Sequence, residues 1–437
     1  MNIALAKTDT PSAAARAFAA AHGRLPGTGR VAEVRRQAFE AFERTGLPHR
    51  RIEEWKYTDL RMLMRDVLPL AAAPDAAALA RAKAALAAHA IEGTAKLVLV
   101  DGQFVPTLSD ADKAISVRSL REVLEKEANE ARADLLVTEQ SDPMLSLNAA
   151  LATDGVVVGV ADGVTLERPI QIIHVATSAS ASIVTRSHLK FGKGSRATFV
   201  ESFVAAEGAK GYQVNDAVII WIGDGAELAH VRLMADATDA VNVTSGIITA
   251  GARAQIKLFN MTSGGAVSRF QGFVTFAGEG SELTANGVNL LNGKQHGDTT
   301  LVVDHAVPHC TSRENFRAVI DDRAHSVFQG RIIVRPDAQK TDGKMMTRAL
   351  LLSDEAEADN KPELEIFADD VTCGHGATAG ALDDSLLFYL RARGLPEKEA
   401  QALLIQAFVG EAIEEIPDER LRELAIATAQ RWLETRT

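Results

Sequence analysis

The sharpest chemical feature of this 437-residue chain is Cys373-Gly374-His375-Gly376. In an extended segment, residues i and i+2 point to the same face, so a thiolate and an imidazole could address one metal there. That ligand pair suits zinc or iron–sulfur species. A closed structural site holds four ligands, so the missing ones must come from elsewhere in the chain or from another subunit. By spacing alone, a chance pair in a glycine-rich turn is the better account of so short a pattern. His305, His309 and Cys310, with His325 further on, are the raw material of a second metal patch. Because His309 follows Pro308, a turn with half-buried side chains is the simpler reading. Lys340-Thr-Asp-Gly-Lys344 reads as a solvated loop. Asp369-Asp370 reads as the end of the strand Glu363–Phe367 rather than a metal site.

Other chemistries lack their motifs. The sequence has no Gly-x-x-x-x-Gly-Lys-Ser/Thr phosphate loop, no His-Glu-x-x-His and no Gly-x-Ser-x-Gly elbow. Gly374-His-Gly376-Ala-Thr-Ala-Gly380 imitates a dinucleotide loop, but its last glycine falls one residue late and no βαβ unit surrounds it. Asp+Glu total 58 against Lys+Arg 47, a net charge of −11. An acidic surface argues against nucleic acid or an anionic membrane as partner. Aromatics at 5% are too few for a groove that stacks sugars or bases. Two cysteines make no disulfide framework and fit a reducing cytosol. The opening Met1–Asp9 has no charged n-region followed by an apolar h-region, and no apolar run reaches 18 residues. The expectation is a cytoplasmic protein.

The elements that must position Cys373 and His375 come in three blocks: 1–140 mainly helical, 141–370 mainly strand, and 371–437 helical. Ala-rich runs at 12–21 and 71–90 favour helix. Arg30–Thr45 sets Val31, Val34, Ala38, Ala41 and Phe42 on one face before Gly46. Trp55 and Tyr57 read as a packing plug between helix and core. Lys96–Pro106 reads as a hairpin about Asp101-Gly102, and another helix is expected at 119–132. From about Asp154, apolar and polar residues alternate and Val, Ile and Thr rise, the texture of strands. A short phrase recurs: Gly194-Ser-Arg-Ala, Gly225-Ala-Glu-Leu, Gly251-Ala-Arg-Ala and Gly280-Ser-Glu-Leu, spaced by 31, 26 and 29 residues. A turn at that interval, with strands and no helix between, implies stacked rungs that bury a face only together. The other reading is a large antiparallel sandwich with chance glycine turns. Near the end, Asp383 or Asp384 caps a helix through Arg393, Pro396 opens a second and Pro417 a third. Leu403, Leu404, Ile405, Ala407, Phe408 and Val409 give the second of these helices a wider apolar arc than one core-facing stripe needs. Docking of a partner and packing on the β core account for that arc equally well.

Three runs carry a family resemblance: Arg331–Asp342, Leu350–Glu357, and Lys361–Gly380 continuing into Leu387–Gly394. They resemble the SufB/SufD family, scaffold subunits of the SUF iron–sulfur cluster assembly system. The likeness is long and specific through 312–415 and continues in texture back to 141. Gly46-Leu-Pro-His-Arg-Arg with Glu54–Leu60, the length and the few cysteines resemble the SufD branch in particular. The resemblance implies a right-handed parallel β-helix between N-terminal and C-terminal α-helical domains. It implies a heterodimer with a SufB-like paralogue through the β-helix core, and a SufC-like ABC ATPase docked on the C-terminal helices. Leu386, Phe388, Tyr389, Leu404, Ile405 and Phe408 then become the docking residues. It implies no catalysis by this chain, with ATP hydrolysis on the SufC-like partner. It also implies a transient iron–sulfur cluster shared at the subunit interface, held here by His375 with Cys373, and no stable cofactor on this chain alone. Homodimers are expected when the chain is alone. The alternatives are the SufB branch and, from a different class, a polysaccharide-active β-helix enzyme. The few aromatics and the helical ends count against the latter.

Overall fold

The computed structural model describes residues 11–126 and 130–435. The opening segment read for a leader, 1–9, lies outside the described residues, as do 127–129 in the expected helix 119–132; Leu120–Lys126 is helical. The chain is mostly β, coiled into a parallel solenoid of about eight turns with helices at both ends.

Each turn supplies one strand to each of two facing sheets. The first sheet runs from Ala95–Val100 through Ile170–Ala176, Arg196–Ala205, Glu227–Ala235 and Gln255–Thr262. It continues through Glu282–Leu291, Thr311–Ile320 and Asp342–Leu351 to Thr372–Gly380. Beyond an antiparallel edge strand, Ile115–Ser119, the second runs from Val156–Val160 through Ser182–Phe191, Gln213–Ile222, Val241–Ala250 and Val267–Phe276. It ends with His296–His305, His325–Val334 and Glu357–Ile366. These strands pair in parallel without register slips, so side chains stack in columns along the coil. Leu97, Phe199, Ile220, Leu258, Val274 and Ile332 fill the apolar half of the interior.

The recurring turn is real, with one register change. The left-handed residues are Gly194, Gly225, Arg253, Gly280, His309 and Lys340, with φ from 54° to 71°. Each donates its N–H to the carbonyl of the residue before the next one up: Asp224, Ala252, Glu279, Pro308, Gln339 and Asp370. Gly251 therefore does not match Gly194, as the phrase suggested; Arg253 does. Arg253, His309 and Lys340 accept a conformation that costs a side chain roughly 1–2 kcal/mol. The stacked hydrogen bonds offset that cost, which is why the glycine phrase fades while the turn persists.

The blocks of the sequence map with shifted edges. Ala95–Val100 forms the expected hairpin with Gln103–Phe104 about Asp101 and Gly102, both at positive φ. That same strand pairs in parallel with Ile170–Ala176, so the first sheet starts before residue 141. At the other end, Thr372–Gly380 is the last rung rather than the start of the helical block, which opens with Asp384–Ala392. Arg30–Thr45 is helical as expected and buries Phe39 and Arg35 beside the expected face. Trp55 is fully buried. Its indole donates to Asp142 at 2.8 Å, and the Arg269 guanidinium lies 3.9 Å from its ring centre. The plug thus fastens the N-terminal block to the second sheet.

Helix Glu397–Ile413 lies on the outer face of the first sheet. Its Ile405, Val409, Ala412 and Ile413 pack with Val231, Phe259, Val288 and Val319. This corrects part of the docking expectation. Ile405 is 1% exposed, and Phe408 is half-buried, its ring under Arg317 and its carbonyl accepting from that guanidinium at 2.6 Å. Both are spent on the solenoid, because a sheet face covered by a helix has to be apolar. Leu404 is half-buried. Leu386, Phe388 and Tyr389 on Asp384–Ala392 remain open, with Phe388 75% exposed. No helix among the described residues is long and apolar enough to cross a membrane.

Candidate functional site at the open end of the solenoid

Cys373 and His375 lie on the last strand of the first sheet. Cys373 stands in the column Ala197, Leu228, Ile256, Leu283, Ser312, Gly343. His375 ends the column Phe199, His230, Leu258, Ala285, Glu314, Met345. Both columns face the interior, where Ala197, Phe199, Leu258 and Leu283 join the apolar core. The expected shared face therefore exists, and it is the inner one. No further rung covers it, so His375 is exposed and Cys373 half-buried.

An open cleft of about 660 Å³ runs past the pair, with Glu314, Met345, Arg313 and Lys344 on its walls. Burial pushes the Cys373 thiol above its usual range, and the nearby Asp342 carboxylate adds to that. A neutral thiol at neutral pH must lose its proton to bind a metal, so binding there releases a proton. Burial also pushes the Glu314 carboxyl up to about 8. A Cβ built on Gly374 would meet no atom of this chain within 4 Å. Packing within the chain does not require that glycine, and its surface is free for close approach from outside.

Sequence reasoning missed Glu314 and Met345 as wall residues. The signal was present in Arg313-Glu314-Asn315-Phe316, whose alternation places Glu314 and Phe316 on one face. Which face is inward follows only from the stack. Lys344 was expected in a loop; Asp342 instead opens a strand, which sets Lys344 at the cleft.

The second histidine patch is not assembled. His305 is fully buried and its Nε2 lies 3.1 Å from Ser312 Oγ, while His325 pairs with Asp359 at 2.8 Å on the second sheet. His309 is an exposed turn residue and Cys310 is fully buried, so neither is the half-buried side chain expected. Burial raises the Cys310 thiol as well. Asp370 pairs with Lys340 across the last turn, beyond the strand Glu357–Ile366.

The open end carries further unmet surface. Thr372–Gly380 and Glu357–Ile366 are the outermost strands of their sheets, and Ile366 and Phe367 beside them are 42% and 60% exposed. Uncovered strand edges with apolar neighbours are pairing surfaces. Pro362 sits on the second of these strands, the edge position a proline tolerates.

Comparison with known proteins bears on the family of the chain. The family model for the SUF system FeS cluster assembly SufBD core domain matches residues 174–408, and the SufBD protein N-terminal region matches 27–172. The chain is 32% identical to the iron–sulfur cluster assembly protein SufD of Escherichia coli, over 92% of each chain. It is 31% identical to a SufBD family iron–sulfur cluster assembly protein of Synechocystis, over 85% of this chain and 84% of that one. It is 28% identical to SufD of Bacillus subtilis, over 66% of each. With both its solenoid and its N-terminal block matched, the chain belongs to the SufBD family of iron–sulfur cluster assembly proteins.

Proposed function

We propose that this chain is a SufD-like scaffold whose open solenoid end meets a SufB-like partner and holds a nascent iron–sulfur cluster there. The observation that carries the reading is the uncovered last rung: Cys373 and His375 stand where the inner columns of the first sheet reach solvent. Two ligands from this chain leave a cluster incompletely held. A scaffold that must hand its cargo on gains from that, because a closed four-ligand site would retain it. The partner supplies the remaining ligands as its own edge strands meet Glu357–Ile366 and Thr372–Gly380. His375 is the exposed ligand; Cys373 is the accompanying thiol, whose raised pKa makes its coordination depend on metal displacing a proton.

The same reading gives the exposed face of Asp384–Ala392 to a SufC-like ABC ATPase. Leu386, Phe388 and Tyr389 are the contact residues, with Leu404 at the margin. ATP hydrolysis belongs to that partner, and this chain contributes no catalytic group. The alternative SufB branch would place sulfur chemistry on this chain, and its two cysteines, one of them fully buried, give that little purchase.

The test is anaerobic purification of the tagged chain from its own host, with native mass and iron measured on one sample. Co-elution with an ABC-type ATPase and a paralogue, and iron that falls when His375 becomes Ala, is the expected result. A chain that elutes without partners or iron after gentle handling overturns the reading.

A further inference from the structure

A second group of ligand atoms lies deep inside the solenoid. His174 comes from Ile170–Ala176 and Glu201 from Arg196–Ala205 of the first sheet, and Asp216 from Gln213–Ile222 of the second. One potential ligand atom of each lies within 4.8 Å of the other two. All three side chains are buried, at 6%, 1% and 1% exposure. Three atoms there have no hydrogen-bond partner: His174 Nδ1, Glu201 Oε1 and Asp216 Oδ2. Stranding one such polar atom away from water costs roughly 1–3 kcal/mol, and here each residue of the cluster carries one.

The rest of each side chain is already fixed. The His174 ring stacks on Phe203 with centroids 4.3 Å apart. Glu201 Oε2 is 2.6 Å from His230 Nε2, and Asp216 Oδ1 accepts from Thr185. Second partners of this kind orient ligands toward a metal. Arg232 is the obvious counter-ion, yet among the described residues it pairs with neither carboxylate. Its guanidinium lies 4.8 Å from the Phe203 and Phe270 ring centres, and its Nη1 donates to Asn260. An imidazole and two carboxyl groups thus meet beside the Arg232 guanidinium, whose Nε and Nη2 also lack partners and whose charge all three feel, without an ion pair between them.

We propose that His174, Glu201 and Asp216 form a buried site for one divalent first-row transition ion, which ties the two sheets together across the interior. The nitrogen-and-oxygen donor set with no thiolate suits zinc, iron(II), cobalt(II) or manganese(II). Ligand bonds of about 2.0–2.2 Å place donor atoms roughly 3–3.5 Å apart, so side-chain adjustments of about an ångström close the site. Glu201 lies six strand spacings from Cys373, about 29 Å at the usual inter-strand distance. The inference therefore stands apart from the cluster reading.

The test uses the full chain carrying Cys373→Ser and His375→Ala, which removes the end site. The protein is unfolded with chelator, refolded with or without Zn²⁺, desalted, and its metal counted. About one retained zinc per chain, with a nitrogen/oxygen shell and no sulfur at the zinc absorption edge, is expected. Adding Asp216→Asn or His174→Gln should cut retention at least tenfold while far-UV circular dichroism stays native. Less than 0.1 zinc in a folded parent, or unchanged zinc in either variant, overturns the site. So does a folded, metal-free parent whose melting temperature rises on Asp216→Asn, which would mean that a shared proton occupies the position. Should Asp216→Asn not fold, the His174→Gln count and the parent's absorption edge still decide.

Discussion

His230 and His375 occupy the same inward column of the same sheet, five strands apart. His230 is 3% exposed, stacked at 4.7 Å on Phe199 and held 2.6 Å from Glu201. His375 has the same backbone setting and no rung above it, and it is exposed. The contrast teaches that position along the stack, more than residue type, separates a histidine enclosed by the coil from one able to meet another molecule. In the middle, a polar side chain must find its partners within the coil. At the end, it can take them from another molecule.

The hardest test of that contrast is to truncate the same column at both places. Phe199 is fully buried beneath His230. Phe199→Ala should cost about 3–5 kcal/mol of stability through lost burial and the cavity left behind, read as an earlier urea midpoint. His375→Ala should shift the midpoint by less than about 0.5 kcal/mol, as surface changes do. If both truncations cost the same, the last rung is not open and the contrast fails.

That contrast was half legible in the sequence. Alternation and the glycine phrase revealed rungs, and the i, i+2 spacing put Cys373 and His375 on one face. The direction of that face was not legible. In Glu227–Ala235 the alternation sets Leu228, His230, Arg232 and Met234 against Ala229, Val231 and Leu233. Amphipathic logic would send His230 and Arg232 to solvent. The stack sends them inward, because helix Glu397–Ile413 covers the outer face and makes Val231 core as well. A strand buried on both faces loses the pattern that marks its inside. The same cause merged two surfaces in the C-terminal helices: Ile405 reads like Phe388 in sequence, yet one packs on the solenoid and the other is open. His174, Glu201 and Asp216 lie 27 and 15 residues apart in sequence, and no local motif joins them; only the register and the meeting of two sheets do.

The open face of Asp384–Ala392 gives the next largest effect. Phe388→Asp places a charge on the most exposed large apolar side chain among the described residues. If the proposed docking of an ABC-type ATPase holds, its binding should fall at least a hundredfold, about 2.7 kcal/mol, with native circular dichroism. Ile405→Asp should instead lower stability, because that side chain is core. Retained binding by Phe388→Asp would move the docking surface elsewhere. The effect of His375→Ala on cargo is expected to be smaller, about a tenfold fall in iron–sulfur cluster formation on the assembled complex, measured by absorbance after anaerobic reconstitution. Unchanged cluster yield and transfer would remove His375 from the site.

The subtlest expected effect concerns Glu314, two strands below His375 in the same column. It belongs to both regions at once: buried like the middle, yet on the wall of the end cleft. Burial holds its carboxyl near 8 in the folded chain, against about 4.3 when unfolded. A raised carboxyl favours the folded state while both forms are protonated, below the unfolded pKa. Between about pH 4.3 and 8 the unfolded chain gives up that proton and the folded chain keeps it, so stability declines as pH rises through this window. Glu314→Gln keeps the shape and removes the titration. Its melting temperature should therefore fall less than that of the unmodified chain between pH 5 and 8, with the two curves closest at the acid end. Parallel curves across the window would mean that Glu314 ionises freely in the folded chain. Its carboxylate would then be solvated from the cleft, and the boundary between covered and open rungs would lie at least one strand deeper than Met345.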